Sequence, residues 1–250
     1  MSTESEDQVF NPAARLCNLL RAARAQPQAR QGEVEPLAIV VWSRVLACSP
    51  EDEDLFIRRF ISLRSLKMDA ERAINALAGI NHALYLRWAT PVRDLLSIST
   101  LYRHWDQVSG SLTEVVLQGL EYAAEQLSRH HLQAAVPTDH LDLLRDEVTT
   151  LLNDVEQDTS LPSALRDRVT THLRAILVAL RDYDIRGIEV IELVLDSSVG
   201  DVFIRRQEYL ENKDHEVIKH YAHLLWQLVE IVNFAGLLKE LPEMIHHLLG

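Results

Sequence analysis

The stretch that decides the fold reads Asp214-His215-Glu216-Val217-Ile218-Lys219-His220-Tyr221-Ala222-His223-Leu224-Leu225-Trp226-Gln227-Leu228-Val229-Glu230-Ile231-Val232, and it continues through Leu237 and Leu238 to His246-His247-Leu248-Leu249. Stepped at about 100° per residue, Val217, Ile218, Tyr221, Leu224, Leu225, Leu228, Val229 and Val232 fall on one broad side. Glu216, His220, His223, Gln227 and Glu230 fall on the other. This is an amphipathic helix whose apolar face is too wide to leave in water. The rest of the chain must supply a groove for it, unless a membrane or a partner does.

Working outward, the composition agrees with helices. Among 250 residues there are only 8 Gly and 8 Pro, so turns are few and uninterrupted segments long. With 47% hydrophobic and 25% charged residues the chain is an ordinary globular protein and not a disordered one. A formal net charge of −12 opposes nucleic-acid or anionic-membrane binding through the surface as a whole. Cys17 and Cys48 are the only cysteines, too few for a disulfide framework or a structural zinc site. The acidic start, Met1-Ser2-Thr3-Glu4-Ser5-Glu6-Asp7, has no apolar core of a signal peptide. A reduced, cytoplasmic setting is the expectation.

In order along the chain, residues 1–10 read as a disordered acidic leader. Asn11-Pro12 opens a helix through Leu16, Leu19, Leu20 and Ala23, followed by a polar loop around Gln31-Gly32-Glu33. The run Leu37-Ala38-Ile39-Val40-Val41-Trp42 is dense in β-branched residues but has no partner strand, so it reads as a short buried helix. Ser49-Pro50-Glu51-Asp52-Glu53 combines a serine cap, a proline at the first helical position and acids, and predicts a long helix to Gly79. Two short helices broken at Pro91 follow, then the aromatic segment Leu101-Tyr102-Arg103-His104-Trp105, then a helix from about Leu112 to His131.

Gln133-Ala134-Ala135-Val136-Pro137-Thr138 marks an internal boundary. Beyond it, helices over about 139–156 and 162–183 form an antiparallel hairpin around Ser160-Leu161-Pro162. Gly187 ends the second, and another helix covers about 188–211 with a kink near Gly200. The expectation is an all-α, multi-helix array of roughly eight to ten helices, built of antiparallel helical hairpins with no sheet. Residues 11–132 make an N-terminal helical part and residues 138–250 a C-terminal one, expected to pack together as one unit.

Few candidate sites survive inspection. His220 and His223 with Glu216 share a helix face, yet Gln227 and Glu230 extend the same stripe, so it reads as a wet face and no metal is expected. Glu243-Met244-Ile245-His246 is a lone Glu-x-x-His where a di-iron bundle needs two. Asp182-Tyr183-Asp184-Ile185-Arg186-Gly187 imitates a calcium loop but places Arg186 and Leu193 where oxygen ligands belong. Nucleotide, phosphate-loop and serine-nucleophile motifs are missing, and no cofactor is expected.

Arg166-Asp167-Arg168-Val169-Thr170-Thr171-His172 resembles the short signature of the HEPN ribonucleases, an Arg, a polar residue and a His on a helix of an all-α domain. The resemblance implies an RNA-cleaving site in which Arg166 stabilises phosphate charge, Asp167 is the polar neighbour and His172 handles protons. Read from the residues alone, the same Arg and His are a helical surface pair. Trp88, Tyr102 and Trp105, with His104, Arg87, Arg93 and Arg103 around them, form an aromatic-basic cluster that suits a partner or a helix–helix corner. Tyr221, Leu225 and Trp226 on the C-terminal helix are the other partner-binding candidates.

Residues 217–238 are long enough to span a bilayer at about 1.5 Å per residue, but Lys219, His220, His223, Gln227, Glu230 and Asn233 form a polar face that lipid would penalise. These features favour a non-enzymatic cytoplasmic module that binds a protein partner or itself. A HEPN-like ribonuclease and a membrane-associating effector acting through residues 214–250 are the alternatives.

Overall fold

The computed structural model describes residues 10–26, 34–130 and 136–234. Most of the leader over residues 1–10, the Gln31-Gly32-Glu33 loop and everything after Phe234, including Glu243-x-x-His246, lie outside them. The described residues are all-α, with twelve α-helices, one 3-10 turn and no strand. The count exceeds the expected eight to ten because Trp105–Ser109 and Arg206–Glu211 are short pieces that show no period of their own. No described helix is long and apolar enough to cross a membrane.

The chain divides into two compact units, Met1–Gln133 and Ala134–Gly250. The first contains α1 (Pro12–Arg24), α2 (Ala38–Val45), α3 (Glu53–Asn75), α4 (His82–Tyr85), α5 (Ala89–Leu95), α6 (Trp105–Ser109) and α7 (Glu114–Ser128). Asn11 caps α1 by accepting from Ala13 N and Ala14 N, and its amide nitrogen donates to Ala124 O at 2.8 Å on α7. At the other end Arg24 pairs with Glu114 at 2.5 Å, so α1 and α7 run antiparallel. The core between them and α3 is built from Leu16, Leu20, Leu63, Leu120 and Ala123, none more than grazed by solvent.

No side chain caps α2, whose N-cap residue is Leu37. Carbonyls of the aromatic segment do it instead: Ala38 N donates to Arg103 O and Ile39 N to Leu101 O, both at 2.9 Å. Leu37 and His104 form an isolated antiparallel bridge there. The β-branched run is therefore a helix whose first turn is held by one extended crossing. Behind it Trp42 meets Trp105 edge to face at 5.7 Å and Phe60 at 6.2 Å.

Two predicted helix signals shift. Ser49 makes only a local turn, accepting from Glu51 N, and α3 starts later with Asp52 as its cap, accepting from Leu55 N. Asp52 stands three residues before Leu55, the spacing a helix cap requires, and it caps without needing proline. Pro91 does not break the helices either; it sits in the first turn of α5, where its missing N–H has no partner to lose.

The second unit contains α8 (Thr138–Gln157), α9 (Ser163–Arg186), α10 (Glu189–Ile204), α11 (Arg206–Glu211) and α12 (Glu216–Phe234). The α8–α9 hairpin turns at residues 158–162, where Asp158 accepts from Ser160 N and Leu161 N. Gly187 ends α9 at φ 75°, ψ −165°, a conformation that suits only glycine. α10 passes through Gly200 unbroken, and the interruption falls at Arg205 instead. One glycine in a helix removes no hydrogen bond, so it need not bend it.

α12 finds its groove against α8 and α10. Val217, Ile218, Tyr221, Leu224, Leu225, Leu228, Val229 and Val232 are all buried, while Glu216, His220, His223 and Glu230 are exposed. The wide apolar face is thus consumed inside the second unit over the described length.

Candidate functional site

Of the six aromatic and aliphatic partner candidates, four belong to the core. Trp88, Trp105, Tyr221 and Leu225 are buried, Trp226 is half-buried and Tyr102 alone is well exposed. A bulky ring at a helix corner has the same sequence signature whether it serves the interior or a partner, and here the interior takes most of them.

Arg166, Asp167 and His172 all lie on α9, but not together. Positions six apart on a helix fall about 120° apart around its axis. Arg166 turns back toward the hairpin loop and donates to Asp158 O at 3.0 Å. With Asp167, Thr170, Thr171, Glu156 and Arg174 it lines a shallow polar groove of about 460 Å³. Arg174 in that groove is already paired with Glu156 at 2.7 Å, so its two cations face two acids and leave no excess positive charge for phosphate. His172 lies on a different side of the helix, against α10 and α12.

There it belongs to a buried polar cluster. Its Nδ1 is 2.7 Å from the Tyr221 hydroxyl, and its Nε2 is 3.9 Å from Asp201 Oδ2. The tautomer with its proton on Nε2 suits both neighbours: Tyr221 O–H donates to Nδ1 and Nε2–H faces the carboxylate. The rings of His172 and Tyr209 each stack with Tyr221, with centroids 6.0 and 6.3 Å away. Arg168 of α9 pairs with Glu208 of α11, and Arg205 pairs with Asp201 at 3.0 Å.

Burial sets the protonation states. It lowers the His172 pKa, with Asp201 opposing and Arg168 adding to the shift, so the imidazole is held neutral. It raises the phenols of Tyr209 and Tyr221 above their ordinary range, so both remain donors. Ser198 Oγ, Tyr209 OH, Asp201 Oδ2 and Arg168 Nε are buried with no hydrogen bond of good geometry. A neutral imidazole satisfied by a phenol, with its side chain 14% exposed, ties α9 to α12 and α10 and presents little to a substrate.

The remaining candidates resolve into surface and core. Glu216 pairs with Lys219 at 2.8 Å, and His223 faces Gln227 at 3.2 Å, along an exposed stripe of α12. Among the described residues no three His, Cys, Asp or Glu side chains gather as metal ligands. Cys17 is buried with its thiol pKa pushed up to about 11 by desolvation, and burial raises Cys48 as well; neither is an activated thiolate. Asp182 is buried in the last turns of α9 and does not belong to an ion-binding loop.

Pattern reading passed over exposed apolar side chains on several helices, among them α3 and α10. On α3, Ile57, Ile61 and Met68 face solvent. On α10, Leu193, Phe203 and Ile204 are 62%, 58% and 79% exposed. The signal was present in the sequence, since Glu189–Ile204 carries Leu193, Phe203 and Ile204 outside the stripe formed by Val190, Ile191, Leu195, Val199 and Val202. Compared with family models, curated proteins and solved structures, the chain matches none.

Proposed function

We propose that the chain is a non-enzymatic interaction module of the cytoplasm, acting by binding a protein partner or a second copy of itself. One observation carries this reading: α10 buries Val190, Ile191, Leu195, Val199 and Val202 on one side, and still presents Leu193, Phe203 and Ile204 to solvent on the other. Exposed apolar side chains that fall in register along one helix form a patch, and patches rimmed by polar residues mark contact sites. Glu189, Glu192, Asp196, Arg205 and Arg206 supply such a rim.

The test is a photo-crosslinking residue placed at position 193 in cells, with position 147 on α8 as control. The expected result is a discrete adduct at 193 that is absent at 147. No adduct at 193, together with a purified protein that stays monomeric at every concentration, overturns the reading.

A further inference from the structure

We propose that Ser198, Tyr221 and His172 form a hydrogen-bonded chain that reverses direction when His172 takes up a proton, so that acid switches the second unit between two folded states. The chain runs from α10 through α12 to α9. Ser198 is buried and its Oγ has no hydrogen bond of good geometry. Its hydroxyl nevertheless reaches the Tyr221 oxygen, where it partly offsets the upward pull of burial on that phenol. Tyr221 O–H in turn donates to His172 Nδ1 at 2.7 Å.

Both protonation states find partners in this arrangement. With the imidazole neutral, Ser198 O–H points to the Tyr221 oxygen and Tyr221 O–H to Nδ1. With the imidazolium, Nδ1–H donates to the same Tyr221 oxygen and Tyr221 O–H swings to Ser198 Oγ. The serine hydroxyl then turns to the Val194 carbonyl one helical turn earlier, a common partner for a serine inside a helix. Only hydroxyl hydrogens rotate, because a phenol and an alcohol each donate and accept. On the other side of the ring, Nε2 lies 3.9 Å from Asp201 Oδ2, a buried oxygen with no hydrogen bond of good geometry. The acceptors that an ionised His172 needs are thus the buried oxygens that the neutral one leaves underused.

The surrounding charges give the switch an output. Asp201 of α10 and Arg168 of α9 are the charged groups that act on His172, and α12 presents the Tyr221 phenol to it. Arg168 is paired with Glu208 of α11, and Asp201 holds Arg205 through Oδ1 at 3.0 Å. Two cations and two acids balance while His172 is neutral, and a proton leaves one positive charge in excess. Asp201 then serves two cations. Of these Arg205 is the more exposed, its side chain 46% open to solvent against 14% for His172, so it is the one that lets go. Arg205 stands at the break between α10 and α11. The proton therefore loosens α11, whose Tyr209 ring stacks with Tyr221.

Nitrogen-detected NMR of the full chain labelled with 15N-histidine tests this between about pH 7.5 and about pH 4.5. The His172 signal is assigned by its loss in His172→Gln. It should show one proton, on Nε2, at neutral pH and a second on Nδ1 in acid, with a midpoint below the ordinary histidine value and circular dichroism unchanged across it. Ser198→Ala should lower that midpoint further, because Tyr221 O–H loses its acceptor only in the protonated state. A histidine that is merely desolvated would respond to the smaller side chain with no shift or an upward one. Amide exchange over residues 205–209, corrected for its intrinsic pH dependence, should quicken below the midpoint in the wild type and not in His172→Gln. Loss of helix coincident with His172 protonation overturns the proposal, as does a midpoint that Ser198→Ala leaves in place or raises. If Ser198→Ala does not fold, the exchange decides: equal pH dependence in wild type and His172→Gln refutes the switch.

Discussion

The hydroxyl of Tyr221 lies 2.7 Å from Nδ1 of His172, joining α12 to α9 in the interior of the second unit. The bond needs a bare Nδ1, and burial keeps it bare by lowering the imidazole pKa. The unfolded chain takes up that proton near the ordinary value of 6.5. The folded state takes it up only at lower pH, so the stability due to His172 is complete above the unfolded value and is lost as pH falls through the folded one. Thermal midpoints measured between about pH 7.5 and about pH 5 should drop more in the wild type than in His172→Gln. Tyr221→Phe should cost about 1–2 kcal/mol by leaving the ring nitrogen buried without a donor. Equal pH slopes for wild type and His172→Gln would contradict this.

Arg166 and His172 share a helix and nothing else. Arg166 holds the α8–α9 turn through Asp158 O, while His172 holds α12. Their alanine variants should therefore destabilise additively, within about 0.5 kcal/mol in a double-mutant cycle read by urea unfolding. A larger coupling energy would mean that the two residues work as one site.

Asn11 does the work of two residues. It caps α1 with its side-chain oxygen and fastens α1 to α7 with its side-chain nitrogen, through Ala124 O and Ser128 Oγ. Asn11→Ala should lose about 2–3 kcal/mol, combining a lost cap with a buried carbonyl left unpaired. Asn11→Asp keeps the cap and loses the tie, and should fall between the two in chemical denaturation.

Two glycines should respond with opposite signs. Gly187 has φ 75° and ψ −165°, so Gly187→Ala should destabilise by about 1–3 kcal/mol. Gly200 sits in ordinary helix with open space at the missing Cβ, and Gly200→Ala should raise monomer stability by about 1 kcal/mol. Differential scanning calorimetry at a concentration below self-association would show both shifts.

A residue off the helical path gives a further test. Ala47 has φ 50°, a left-handed conformation that costs an alanine about 1–2 kcal/mol, and the Arg59 guanidinium steadies it by donating to Leu46 O at 2.6 Å and Ala47 O at 2.9 Å. Ala47→Gly should stabilise by about 0.5–1 kcal/mol, and Arg59→Met should destabilise by about 2–3 kcal/mol. A loss of melting temperature in Ala47→Gly would refute the strain argument.

What pattern reading could see was whatever a single helix decides alone. The Asn11 cap, the α8–α9 hairpin, the Gly187 stop and the buried side of α12 all follow from local spacing. Choices settled by packing were hidden. Asp52 rather than Ser49 opens α3 because the chain turns once before it begins, and Pro91 is absorbed where its helix needs no donor. At the candidate sites, the spacing of Arg166 and His172 showed residue types but not that about 120° of helix separates them. Trp88 and Trp105 could not be assigned to core or surface without knowing what lay opposite. On α10 the exposed Leu193, Phe203 and Ile204 lie among acids and serines, which blurs the helical period.

The pairing of α1 with α7 has a consequence for how the protein is made. α1 packs on a helix whose residues are synthesised about a hundred positions later, as in the contacts of Asn11 with Ala124 and Cys17 with Leu117. Until α7 leaves the exit tunnel, the apolar side of α1 has no native cover from it, a delay of roughly 5–20 s at ordinary elongation rates. In the second unit most contacts form between neighbours, α8 on α9 and α9 on α10, as each is synthesised, and only α12 returns to α8. The amino-terminal unit therefore carries the longer exposure to chaperones and to misassembly, and synonymous changes that slow translation between α1 and α7 would act on it first.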